Sequence, residues 1–231
     1  TAVGAGGVQI QTAGQLVAGR DVTITGSDLF VTNAAGVLDS IEVQNDGAFD
    51  QIIANRDISL TSGVASPAGA DILVLGELLA TTLSINIDAL DRTVLNDNVD
   101  AGFDITFQDA VDISADLTVT AGNDVTFFNT LDSQIDEHNS LVLTAATGVI
   151  VFDGDIGAST GAGADDLTLG SLTVTSAVGV TFGNSDGVTS IKTDESIDIG
   201  STTTIMVRAY FRLQASADVR ESIELELWDS M

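Results

Sequence analysis

Whatever chemistry this chain performs would have to be performed with carboxylates. Its 231 residues include 34 Asp and Glu against seven Lys and Arg, for a formal net charge of -27, with one His and no Cys. Four stretches set hard oxygens beside glycine: "NDNVDAG" (96–102), "DGDIG" (153–157), "GAGADDLTL" (161–169) and "NSDG" (184–187). Carboxylate and carbonyl oxygens on a sharply turning backbone suit calcium. Asp97, Asp100, Asp153, Asp155, Asp165 and Asp186 are therefore the candidate calcium ligands. The third stretch resembles a calcium-binding nonapeptide, but it occurs once and lacks the tandem array that such sites use, and none of the four is an EF-hand loop. The competing reading is structural: Asp is the acid that hydrogen-bonds turn backbone, so a turn-rich fold is Asp-rich without metal.

Other chemistries find less support. Without Cys there are no disulfides, thiolate sites or cysteine nucleophiles. The single His138 lies in the polar run "DSQIDEHNS" (132–140), near Ser133 and Ser140 in sequence only, and is expected to be a solvent-exposed loop residue. One His and no Cys argue against zinc and other transition metals. Paired carboxylates serve glycosidases and polysaccharide lyases, but such sites also gather cations and aromatic platforms, which the first 200 residues hardly contain. A carbohydrate-active enzyme is thus the weakest reading; no catalytic residue and no cofactor other than calcium is expected. The charge argues against nucleic acid and anionic membranes as partners, and no apolar run approaches the roughly 18 residues of a membrane span.

The elements that would carry these carboxylates come from a repeated phrase. "AGRDVTIT" (18–25), "ANRDISLT" (54–61), "AGFDITFQ" (101–108) and "AGNDVTFF" (121–128) share Ala, then Gly or Asn, any residue, Asp, and an alternating run; "ATGVIVF" (146–152) and "AVGVTFG" (177–183) are weaker copies without the Asp. Alternating runs also precede corners, as "LTVTA" (117–121), "LVLTA" (141–145) and "LTVTS" (172–176), while "LSINI" (83–87) stands without a following corner. Period-two patterning in Val, Ile and Thr predicts strands. Gly19, Gly102, Gly122 and Asn55 occupy a slot where positive φ is inexpensive, and Asp21, Asp57, Asp104 and Asp124 are placed to bond the turn. The spacing between corners predicts one coil of a β-solenoid where short and two coils with a degraded corner where long. A weak helical pattern lies over Ala80 to Asp91. The prediction is an all-β parallel β-helix, with a β-sandwich as the alternative.

"AGRDVTITGSDL", "SLVLTAATGVIVFDGDIGA" and "SLTVTSAVGVTF" resemble the repeats of filamentous-haemagglutinin-like and autotransporter-type bacterial surface proteins. The resemblance covers roughly residues 8–190. It implies a right-handed parallel β-helix, an extracellular or bacterial cell-surface location, and a role in large secreted adhesins.

From Ser201 onward the text changes: glycine stops, and Arg208, Arg212, Arg220, Tyr210 and Trp228 enter. The expected division is a solenoid body over 1–200 and a β-strand cap or assembly segment over 201–231, with Arg208, Tyr210, Phe211, Arg212 and Trp228 as assembly residues. The function expected is that of an extracellular, non-enzymatic structural protein: a stiff acidic rod that self-assembles with copies of itself into a fibre, sheath or surface layer. The alternative is an adhesin segment touching a host or neighbouring cell through 62–71, 132–140 and 158–166.

Overall fold

The computed structural model describes residues 2–4, 8–10, 15–26, 31–32, 38–39, 41–43, 51–63, 72–157, 166–183, 190–200, 204–207 and 212–215. All regular structure among them is β, in three parallel sheets of stacked strands and one short antiparallel pair. The first sheet stacks nine strands: Ala2–Gly4, Val22–Gly26, Ile58–Ser62, Ile85–Asp88, Ile105–Phe107, Val125–Phe127, Val149–Phe152, Gly179–Phe182 and Thr204–Val207. The second stacks six: Val8–Ile10, Ile41–Val43, Ile72–Val74, Arg92–Leu95, Ala110–Ile113 and Leu131–Ser133. Single parallel bridges from Leu131 to Ile156 and from Ile156 to Ile191 carry that line two coils further. The third stacks nine: Gln15–Ala18, Gln51–Ala54, Glu77–Ala80, Val99–Ala101, Leu117–Ala121, Leu141–Ala145, Leu169–Ser176, Ser190–Ile199 and Arg212–Ala215. The chain visits the sheets in rotation and each visit lies on the one before, which is a parallel β-solenoid. At about 4.8 Å per coil, nine coils make a column roughly 40 Å tall.

Alternation decides which side chains enter the column. In Leu117–Ala121, Leu117, Val119 and Ala121 are buried while Thr118 and Thr120 are half-exposed, and Leu141–Ala145 repeats the pattern in register above it. Burying one such Ile, Leu or Val side chain contributes roughly 1.5–3 kcal/mol. The inward column of the first sheet reads Ile24, Leu60, Ile87, Phe107, Phe127, Phe152 and Phe182. Its four rings stack at centroid distances of 4.8, 5.4 and 5.3 Å, nearly parallel. The alanine that opens each corner also lies in a column: Ala18, Ala54, Ala80, Ala101, Ala121 and Ala145 are in register where the third sheet hands the chain to the first.

The corners differ from expectation in three ways. The glycines at the slot after this alanine do not have positive φ, which among the described glycines occurs at Gly157 and Gly183. Closeness selects glycine instead: a Cβ on Gly122 would lie 2.1 Å from the Gly102 carbonyl oxygen, and one on Gly102 would lie 2.6 Å from that of Thr81. Second, the corner acids accept bonds from the next coil along with, or instead of, their own turn. The Asp57 carboxylate accepts from the Ser84 N–H (3.1 Å), Asp104 from the Asp124 N–H (3.1 Å), and Asp124 from the Val149 N–H (2.7 Å). Third, the corner spacings resolve unequally. The gap from Ala54 to Ala101 holds two coils, with Ala80 between them. The gap from Ala18 to Ala54 is one coil, whose extra length includes a short antiparallel pair, Val31–Thr32 with Leu38–Asp39. The segment with helical pattern is a strand, Ile85–Asp88, so "LSINI" follows a degraded corner. Strands Thr204–Val207 and Arg212–Ala215 extend the first and third sheets in the same parallel sense.

Candidate functional site

His138 and the acidic residues around it meet where the second sheet hands over to the third, across three successive coils. The chain leaves Leu131–Ser133 and turns through residues 134–140 before entering Leu141–Ala145. Two consecutive-but-one residues of that turn, Asp136 and His138, have positive φ (59° and 52°), a region that His and Asp tolerate better than most residues. The turn is pinned to the coil above by its backbone: the Ser133 N–H donates to Leu167 O (3.0 Å) and the Asp136 N–H to Asp166 O (2.9 Å). It is pinned below by Asp116, whose carboxylate accepts the Ser140 N–H at 2.7 Å. Asn139 reaches from its side chain to the Ile113 carbonyl (3.1 Å) and to Glu137 (2.8 Å).

This backbone aims His138 upward. Its Nδ1 lies 2.8 Å from Asp194 of the strand two coils on, and its Nε2 lies 4.0 Å from Asp166 of the coil between. The side chain is half-buried, so the expectation of a solvent-exposed loop histidine is corrected. Asp166 is held below the ordinary carboxylate range, first by hydrogen bonds from the Thr168 side chain and N–H, and further by the nearby His138 and Lys192 charges. The chain's single His and single Lys thus attend one carboxylate. Two glycines make the approach possible: a Cβ on Gly170 would lie 2.2 Å from the His138 carbonyl, and one on Gly157, at φ +64°, would lie 2.2 Å from that of Lys192.

The candidate calcium ligands are dispersed. Asp97 accepts the neighbouring Asn98 N–H (2.7 Å), and Asp155 accepts the Ser190 N–H of the next coil (2.7 Å). Asp153 is half-buried after strand Val149–Phe152. Asp100 faces outward beside Glu77 and Asp97; burial pushes the Asp100 carboxyl up, and burial together with the Asp97 and Asp100 charges pushes Glu77 up. Gln51 donates to Glu77 from the coil below. Asp165 and Asp186 lie outside the described residues. Among the described residues no group of three or more His, Asp or Glu is disposed to hold a metal ion. Of the assembly residues, Arg212 pairs with Ser190 at the start of the last described strand; Arg208, Tyr210, Phe211 and Trp228 lie outside the described residues.

A second charged group escaped sequence reasoning. Asp112 and Asp132 are register partners on the outer side of the second sheet, yet both are buried. Burial pushes the Asp112 carboxyl up despite the Arg92 guanidinium 3.1 Å away. Alternation alone carries no signal that an outer face is covered.

No family model, no curated protein and no solved structure matches this chain.

Proposed function

We propose that this chain is an extracellular, non-enzymatic structural protein, an acidic β-solenoid that assembles with copies of itself into a fibre, sheath or surface layer. The observation that carries this reading is the in-register ladder and its open ends. Among the described residues, Ala2–Gly4 and Thr204–Val207 in the first sheet, and Gln15–Ala18 and Arg212–Ala215 in the third, each pair with a neighbour on one side only. A parallel strand edge is a template for a further strand, and a coil with the same inward columns is the partner that fits it best. The Arg-bearing segment beyond Gly200 offers cations to an otherwise acidic body, which complements a head-to-tail join.

Negative-stain imaging of the full chain, with calcium and with chelator, tests this. Regular polymers are expected from the full chain, and monodisperse short rods from a deletion of 201–231 or from Arg212→Glu. A full chain that stays monodisperse across concentration and salt would overturn the proposal.

The adhesin reading has one specific observation in its favour: residues 132–140 and Asp166, from two of the three expected contact loops, meet at one edge of the rod. It predicts binding of glycans or cells by single rods, lost on replacing residues 134–138.

A further inference from the structure

We propose that the end of the chain, Ile223 to Trp228, docks on the next copy, across an apolar stripe of Val17, Ile53 and Leu79 on the outer face of its third sheet. This rests on the head-to-tail reading and names the surface that receives the end. The stripe is a register column: Val17 pairs with Ile53 and Ile53 with Leu79 on three successive coils. Ile53 and Leu79 alternate with the buried Ile52, Ala54, Leu78 and Ala80, so they face out. Val17 is 63% exposed, and Ile53 and Leu79 are half-buried. Further along, the same column turns polar, as Asp100, Thr120 and Thr144. Three apolar side chains therefore stand together on an outer face, and only in the first coils. Beside them, at the corner into the first sheet, Arg20 and Arg56 are stacked, with the Arg56 N–H donating to the Arg20 carbonyl at 3.1 Å. Arg20 is exposed, and Arg56 is half-exposed beside Asp21 (3.4 Å) and Asp57 (3.8 Å).

The end of the chain has the complementary pattern. Its cations stop at Arg220, and "ESIELELWDSM" then alternates Ile223, Leu225 and Leu227 with Glu224 and Glu226 before the single Trp. In extended form such a segment offers an apolar face to the stripe, acids to Arg20 and Arg56, and an aromatic anchor. Glu77 and Asp100 border the stripe on its acidic side, which leaves the arginine side for Glu224 and Glu226. Reach selects the copy. The last described strand of the third sheet ends at Ala215, and sixteen residues follow it. Ile223, eight residues on, reaches at most about 26 Å. The stripe of the same chain lies six to eight strands down the sheet, about 29 to 38 Å away. The stripe of a copy stacked on the open edge of Arg212–Ala215 begins one coil up and ends at three, about 5 to 14 Å away. The anchors can all be seated on the second copy and not on their own.

Trp228 is the chain's single Trp, so its fluorescence reports the contact in the full chain. Its emission should shift to the blue as concentration rises, in step with the polymers seen by sedimentation. Ile53→Asp on the stripe and Leu225→Asp on the end should each raise the concentration of half-maximal shift about tenfold or more. Val17→Asp, at the most exposed position of the stripe, repeats the test where little packing is at stake. Thr126→Asp, on the outer face of the first sheet, should leave the shift within about twofold. A peptide of residues 216–231, added to the full chain carrying Trp228→Phe, should show the same shift and lose it against Ile53→Asp. Polymers in which Trp228 keeps the emission of a water-exposed indole, indifferent to Ile53→Asp and Val17→Asp, would overturn the docking and leave the head-to-tail reading standing. Absence of polymers would sink that reading, and the peptide then decides the docking: no shift up to about 1 mM peptide overturns it. A blue shift equal at every concentration, in single rods, would mean that each chain covers its own stripe, and overturns it as well.

Discussion

Glu77 illustrates how a single carboxylate registers its coil. It faces outward from the third sheet, accepts from Gln51 below, and stands near Asp97 and Asp100. Partial burial and two like charges raise its folded-state affinity for a proton above that of the unfolded chain. The sign follows: a raised carboxyl favours the fold below the ordinary carboxylate range, and that contribution is lost as pH rises through the folded value. Glu77→Gln, which keeps an acceptor for Gln51, should therefore raise the urea midpoint at about pH 7 and leave it nearly unchanged at about pH 3.5. A lower midpoint at neutral pH would show that the ionised Glu77 is stabilising. Asp112 and Asp100 belong to the same class, whereas Asp166, held low, is stabilising above the unfolded carboxylate range and loses that contribution as pH falls through its folded value. The candidate site was poorly legible for a reason visible at this scale. His138, Asp166 and Asp194 meet because they are stacked, and nothing within one coil of sequence announces which residues of the next two will lie above it.

Strands and corners were far more legible, because each is decided by local physics. Alternation of Val, Ile or Leu with Thr dictated which residues enter the column, and the inward set of Leu117–Ala121 is the one the pattern predicts. The recurring Ala-Gly-x-Asp marked true corners, yet its glycine serves clearance between coils where a conformational role was expected. That distinction is measurable. Gly122→Ala places a Cβ 2.1 Å from a backbone oxygen and should cost about 1–3 kcal/mol in urea unfolding. Gly19→Ala meets nothing within 4 Å, lacks the positive φ that would strain it, and should be neutral or stabilise by up to about 1 kcal/mol. Equal effects at the two positions would refute clearance as the reason for glycine. Coil length was the part local physics left open. It runs from 18 residues between Arg92 and Ala110 to 36 between Val22 and Ile58, because insertions leave mostly at the corners, with register shifts in the sheets confined to Leu143/Thr144 and Leu169/Ser171 in the third.

For the whole molecule the net charge of -27 sets the terms of association. Acids concentrated at corners and outer faces make every rod repel every other at long range, over about 10 Å at 0.1 M salt and farther at lower ionic strength. Sedimentation of the full chain should show single rods at about 10 mM salt and progressive association at about 0.5 M. Association that weakens as salt rises would mean that attraction between the Arg-bearing segment and the acidic body dominates over net repulsion.

Six side-chain acceptors take a backbone N–H from the coil that follows. Asp57, Asn98, Asp104, Asp116, Asp124 and Asp155 each accept an N–H belonging to the following coil, at Ser84, Thr118, Asp124, Ser140, Val149 and Ser190 in turn. A coil already in place therefore presents waiting side-chain acceptors to the backbone of the stretch that comes after it. A polypeptide threaded into its final surroundings amino end first would find each new turn met by a prepared seat, so that winding proceeds as vectorial growth on a template the protein has just made from itself.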